Sequence, residues 1–165
     1  MKESEIRPKA IFDEYLRLAV IDTKLYFSNS KKTKINCPAC DKEGKESFKK
    51  NNFKYSVCNN CLTVFVSPRP SSKSFSDYYR KSQSAKYWAT TFYKKTEDAR
   101  REKIWKPKAE LILNELQNEN ANNLQIIDIG GGYGIFAEEI QKHLSTSVTI
   151  IEPSPDLAKI CVFIL

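Results

Sequence analysis

The stretch Ile126-Ile127-Asp128-Ile129-Gly130-Gly131-Gly132-Tyr133-Gly134-Ile135-Phe136 decides the fold of the C-terminal part of the chain. Leu124 to Ile129 is an apolar run broken by one aspartate, of a length suited to a strand. Four glycines among positions 130–134 make a turn in which the backbone takes positive φ and approaches a ligand closely. Ile135, Phe136, Ile140 and Leu144 follow at helical spacing. Ser147 to Glu152 reads as a second strand, Pro153-Ser154-Pro155 as a break, and Asp156 onward as another helix. Strand, helix and strand in that order predict the βαβ unit of a parallel sheet, and so an α/β fold.

Glu152 stands 22 residues after Gly130, at the end of the second strand. A carboxylate there can accept both hydroxyls of a ribose. Two cofactor classes use this arrangement. Gly132, Gly134 and Ala137 satisfy the dinucleotide pattern G-x-G-x-x-G/A, which keeps an NAD-dependent oxidoreductase open. Asp128 weighs against it. A carboxylate facing the turn repels a pyrophosphate but suits the cationic amino acid end of S-adenosylmethionine, which carries no phosphate.

Upstream, Cys37-Pro38-Ala39-Cys40 and Cys58-Asn59-Asn60-Cys61 are separated by 17 residues. Two residues between cysteines let both sulfurs of one turn face a single ion, and two such turns supply the four thiolates that Zn2+ favours. A disulfide framework, a thioredoxin-type redox pair and an iron–sulfur centre are the weaker readings. Four protein thiolates leave no open coordination position, so the expected role is structural: folding about 35 residues that have no core of their own. The intervening length suits a small hairpin, with strand-like stretches at Tyr55–Val57 and Thr63–Val66. The fifth cysteine, Cys161, is expected to be a small buried side chain.

These features divide the chain into 1–35, a lead-in with an amphipathic helix over about 9–20; 36–70, the four-cysteine ribbon and a linker at Ser67–Ser72; and 71–165, a helical segment followed by the βαβ unit. The helical pattern runs from Phe75 to about Leu116, with a fresh helix expected at Pro107, and 117–123 (QNENANN) reads as a polar break. Tyr87, Trp88 and Tyr93 fit a helix-packing core, with the mouth of a site as the alternative. His143, the one histidine, reads as a surface residue.

Charge is unevenly spread: residues 1–110 carry 25 Lys+Arg against 13 Asp+Glu, and 111–165 carry 2 against 7. The basic part keeps a nucleic-acid-binding zinc-ribbon protein as an alternative, although the lysines are scattered and the ribbon's stacking candidates are limited to Phe48, Phe53 and Tyr55. No run approaches the roughly 18 apolar residues of a membrane span. Met1 to Ala10 alternates charges without an apolar core, so a secretory leader is not expected and a cytoplasmic protein is.

Asp128-Ile129-Gly130-Gly131-Gly132-Tyr133-Gly134 resembles motif I of the class I S-adenosylmethionine-dependent methyltransferases, and Thr149-Ile150-Ile151-Glu152-Pro153-Ser154 resembles their motif II. Tyr55, the Cys58/Cys61 pair, Leu62 to Ser71, Tyr78-Tyr79 and Tyr87-Trp88 are similar to a bacterial branch that couples a zinc ribbon to such a domain. The resemblance implies a Rossmann-like sheet and a small-molecule or sugar methyl acceptor. It places Asp128 beside the methionyl group, the backbone of Gly130, Gly131, Gly132 and Gly134 against the cofactor, and Glu152 on the ribose. It assigns no catalytic residue. The family has a seven-stranded sheet, whereas this chain offers two of those strands and reaches Leu165 inside an apolar helix, so a shortened form of that methyltransferase is expected.

Overall fold

The structure, a computed structural model, describes residues 2–116 and 124–164, with side chains as far as Cys161. The polar break at 117–123 and the side chains of the apolar tail lie outside the described residues. In chain order the elements are α1 (Glu3–Ile6), α2 (Lys9–Phe27), β1 (Lys32–Thr33), β2 (Gly44–Lys50), β3 (Phe53–Cys58), β4 (Val64–Val66), β5 (Arg69–Pro70), α3 (Ser72–Lys81), α4 (Gln83–Tyr87), α5 (Tyr93–Arg100), α6 (Lys106–Leu116), β6 (Ile126–Ile129), α7 (Ile135–Gln141), β7 (Val148–Ile151) and α8 (Pro155–Ile164). Helices and sheets are thus mixed. Among the described residues no helix is long and apolar enough to cross a membrane. The chain forms two compact units, Arg17–Tyr78, and Met1–Leu16 with Tyr79–Leu165.

In the unit Arg17–Tyr78, β2, β3 and β4 form an antiparallel sheet in that order. The β2–β3 hairpin closes on Asn51 and Asn52, whose φ values of 48° and 65° match the twist of the strands they join. Asparagine tolerates this left-handed region better than most residues do. The apolar core here is small: Cys37, Cys58 and Phe65 are buried, with Ile35 and Cys40 packed against them. At the other end of β3, Phe27 of α2 gathers Phe53, Phe75 and Tyr78, with ring centroids 5.2, 4.9 and 5.5 Å away. Helix α2 runs on to Phe27, beyond the expected stop near residue 20. The expected linker is also more ordered than its prolines imply. Arg69 and Pro70 pair antiparallel with Thr33 and Lys32, and α3 begins at Ser72. Proline is tolerated because β5 is an edge strand.

The second unit is built on a helical rod. Helices α4, α5 and α6 run into one another through two π-helical turns, Trp88–Phe92 and Arg101–Trp105. Pro107 therefore does not open a fresh helix. The wider turn just before it accommodates a residue that has no N–H to donate and whose ring would crowd the carbonyl four residues back. Tyr15 and Trp88 meet at 4.7 Å, Trp88 and Phe92 stack at 4.3 Å, and Phe12 approaches Phe92 at 5.8 Å. These contacts place Trp88 in the packing core.

Strands β6 and β7 are parallel, with Ile126 opposite Val148 and Asp128 opposite Ile150, and α7 connects them. Alternation puts Ile126, Asp128, Val148 and Ile150 on one face, where Ala109 of α6 and Ala137 and Ile140 of α7 are buried against the sheet. On the other face Ile127, Ile129 and Ile151 are 60%, 80% and 51% exposed, so no described residue covers it.

Arg101 ties the rod to α7. Its guanidinium lies 2.6 Å from Glu138 and 2.8 Å from Glu139, and Lys142 contacts Glu139 at 2.5 Å. Burial works against ionisation of Glu139, but hydrogen bonds from Lys142 and Arg101 outweigh it and hold the carboxyl below its ordinary value. Breaking a buried pair on one side costs roughly 3–5 kcal/mol. Lys142 remains in the Arg101→Leu variant, so we expect a loss of about 2 kcal/mol in denaturant unfolding. A carboxyl whose pKa is lower folded than unfolded stabilises above the unfolded value and loses that contribution as pH falls through the folded one. Stability should therefore decline on acidification below about 4.5, and less steeply in the variant.

Candidate metal and cofactor sites

The two Cys-x-x-Cys turns are built alike. Asp41 follows Cys40 at φ 57° and Leu62 follows Cys61 at φ 61°, so each turn ends on a left-handed residue that swings the chain away from the sulfurs. Backbone bonds hold both turns: Cys37 N–H donates to Lys42 O at 2.9 Å, and Cys58 N–H to Thr63 O at 2.9 Å. The four ligand sulfurs of Cys37, Cys40, Cys58 and Cys61 all lie within 4.8 Å of one another. Individual separations are 3.4 Å for Cys40–Cys61, 3.5 Å for Cys40–Cys58 and 3.6 Å for Cys37–Cys61. A disulfide would require about 2.05 Å, and none of these cysteines is bonded to another. Thiolates around a tetrahedral Zn2+ at about 2.3 Å stand about 3.8 Å apart. The cluster could therefore hold a metal ion, and its size is compatible with zinc. Amide donors support the sulfurs, with Asn60 N–H 3.4 Å from Cys58 Sγ. Hydrogen bonds from the Thr63 side chain and backbone hold the Cys61 thiol at about 6, on the thiolate side at neutral pH.

In the other unit the glycine turn lies between β6 and α7. Gly130, Gly132 and Gly134 have φ of 80°, 61° and 75°, as a turn of this tightness requires. Gly131 is needed for space, since a Cβ there would stand 2.7 Å from Asp128 Oδ2 and 2.8 Å from Ile150 Cγ2. Glu152 joins the turn to the end of β7. Gly132 N–H donates to its Oε2 at 3.0 Å and Ser154 N–H to its Oε1 at 2.8 Å. Each carboxylate oxygen keeps a further lone pair for a ligand hydroxyl. Asp128 points to the covered face of the sheet. Its Oδ2 is buried and has no hydrogen-bond partner among the described residues, and burial pushes its carboxyl up. A buried acceptor left unpaired is costly unless something arrives to pair with it.

All the residues expected at the turn (Asp128, Gly130, Gly131, Gly132, Gly134 and Glu152) thus come together within one βαβ unit. Other contributors carry little local sequence signal. Tyr133 stacks on Tyr93 at 4.7 Å with an 8° tilt and donates its hydroxyl to Ala89 O at 2.7 Å. Arg100 lies 4.9 Å over the Tyr93 ring. Cys161, buried as expected, donates its thiol to Gly132 O at 3.1 Å. His143 is exposed just beyond the end of α7. No family model matches the chain, and no curated protein or solved structure shows significant similarity to it.

Two glycine variants separate conformation from space. Gly130→Ala places a Cβ in open space at φ 80° and should cost only the left-handed penalty, about 1–2 kcal/mol, in unfolding measurements. Gly131→Ala drives a Cβ into the Asp128 carboxylate, so a ligand held by Asp128 should be lost in a titration even where the fold persists. In the ribbon, chelation should remove amide protection from residues 36–66 while leaving β6, α7 and β7 protected in hydrogen exchange.

Proposed function

We propose that this chain is a class I S-adenosylmethionine-dependent methyltransferase that carries a zinc ribbon and a Rossmann-like sheet begun by β6, α7 and β7. The observation that carries this reading is the pair of carboxylates flanking the glycine turn. Asp128 presents a buried, unpartnered oxygen beside Gly131, and Glu152 is held by two backbone N–H groups at the end of β7. The residues fit the cofactor by chemistry. A buried anion seeks a cationic partner, such as an ammonium group, and would repel a pyrophosphate, which favours S-adenosylmethionine over NAD.

Bound there, S-adenosylmethionine supplies a methyl group activated by its sulfonium. The chain's own part is positioning. Asp128 holds the amino acid end, the backbone of Gly130, Gly131, Gly132 and Gly134 lies against the cofactor, and Glu152 accepts ribose hydroxyls. Transfer to a small-molecule or sugar acceptor then rests on proximity and orientation. No side chain is assigned as a base. The four cysteines hold a structural zinc whose coordination is complete.

Calorimetric titration of the zinc-loaded chain with S-adenosylmethionine should give saturable one-to-one binding, and NAD should give none. Glu152→Ala and Asp128→Asn should each abolish it. Binding of NAD alone would replace this reading with the oxidoreductase. Asp128→Asn also removes an anion that burial disfavours. A carboxyl with a raised folded pKa destabilises above its unfolded value, so at pH 7 this variant should unfold at a higher denaturant concentration than the parent.

A further inference from the structure

The β2–β3 hairpin presents an arrangement that the methyltransferase reading does not use. Its register pairs Lys45 with Val57, Phe48 with Tyr55 and Lys50 with Phe53, and a bulge lies between Glu46 and Phe48. Partners in register share a face, so the bulge brings Lys45, Phe48 and Lys50 onto one face together with Tyr55. Without the extra residue, Lys45 would point to the opposite face. Phe48 and Tyr55 are stacked, with centroids 4.7 Å apart and planes within 7°.

That separation is the spacing between neighbouring strands. The two rings therefore form a stack running across the sheet, one ring per strand. Strand order is β2-β3-β4, so β2 is an edge and Phe48 is the outer ring. The next position in the stack falls beyond the edge, where no described strand pairs, and Phe48 is 45% exposed.

Lys45 and Lys50 bracket Phe48 along this edge, both exposed and neither in an ion pair among the described residues. The hairpin's one internal ion pair, Lys54 with Glu46 at 2.9 Å, joins residues whose register puts them on the opposite face. Residues 31–54 hold eight lysines against three carboxylates. A flat ring open on its outer side, flanked by unpaired cations, matches a chain that alternates planar bases with phosphates. It does not match an apolar protein surface, which would leave the lysines unpartnered, or an acidic peptide, which has no use for the stack.

We infer that the edge of the β2–β3 hairpin binds single-stranded nucleic acid, one base continuing the Tyr55–Phe48 stack while Lys45 and Lys50 contact the adjoining phosphates. The glycine turn plays no part in this inference, so it stands or falls separately from the proposed methyltransferase activity.

The test is fluorescence anisotropy of the zinc-loaded full chain with labelled oligouridylate and oligothymidylate of about 12 nucleotides, read across about 50 to 300 mM KCl. Saturable binding is expected with either strand, and the stronger of the two identifies the natural type. Phe48→Ala should weaken binding about tenfold, and Phe48→Tyr should restore it. The double variant Lys45→Ala/Lys50→Ala should lower the logarithmic salt slope by about 1.4, two phosphate contacts for a single strand. Both sites are solvent-exposed, and zinc content checks the fold of each variant. The inference is overturned if the parent chain binds neither strand at low salt. It is overturned equally if Phe48→Ala binds as the parent does, or if a duplex of the same length binds as tightly as the single strands.

Discussion

Four sulfur atoms within 4.8 Å of one another cannot all be thiolates without a cation among them. That constraint governs the ribbon. Its buried apolar core comprises Cys37, Cys58 and Phe65, and two of these three are candidate metal ligands. All residues of β2 from Lys45 onward are exposed, so the strand buries almost nothing of its own. What fixes β2 is its ladder with β3, and β3 ends at Cys58. A metal bound by these four cysteines would join the turn after β3 to the turn before β2 and close the hairpin at its base. The tip can then afford a lysine-rich, open surface.

The other unit inverts that logic. Its helical rod is well packed, with Phe92 and Ala89 fully buried and Arg101 bridging to α7. Stability there comes from ring stacking and a shared cation. At the glycine turn the same unit carries features that oppose stability: a buried carboxylate oxygen with no partner, three left-handed backbone positions and a glycine that leaves no space for a Cβ. Tyr93 of the rod braces the turn by stacking on Tyr133, and Cys161 braces it from α8. Costly local geometry held rigid from several sides is what a preorganised ligand site requires.

Much of this was legible in the residues. The paired cysteines announce a cluster that could hold a metal because ligand spacing is a local property, and the glycine turn after Asp128 is readable for the same local reason. The apolar runs Leu124–Ile129 and Ser147–Glu152 are likewise local, and strands formed within both, at Ile126–Ile129 and Val148–Ile151. Strand β2 was not legible. Lys-Glu-Ser-Phe-Lys-Lys has no apolar period of two, and the segment is a strand only because β3 offers it a ladder. Arg69–Pro70 reads as punctuation, and its pairing with β1 depends on where Lys32 and Thr33 lie. Pro107 reads as a helix start, and only the π-helical turn before it lets the rod continue.

By itself, then, the sequence determined the mixed α/β character, the four-cysteine cluster and the carboxylate–glycine–carboxylate order of the turn, since each rests on contacts or periodicities within a few residues. Tertiary structure decided what the same side chains face. It left Asp128 Oδ2 without a partner, set Tyr93 against Tyr133, brought Cys161 to Gly132, and turned Lys45, Phe48 and Lys50 onto one edge through a single bulge. Those outcomes depend on register and on packing between segments distant in the chain, and no local pattern encodes either.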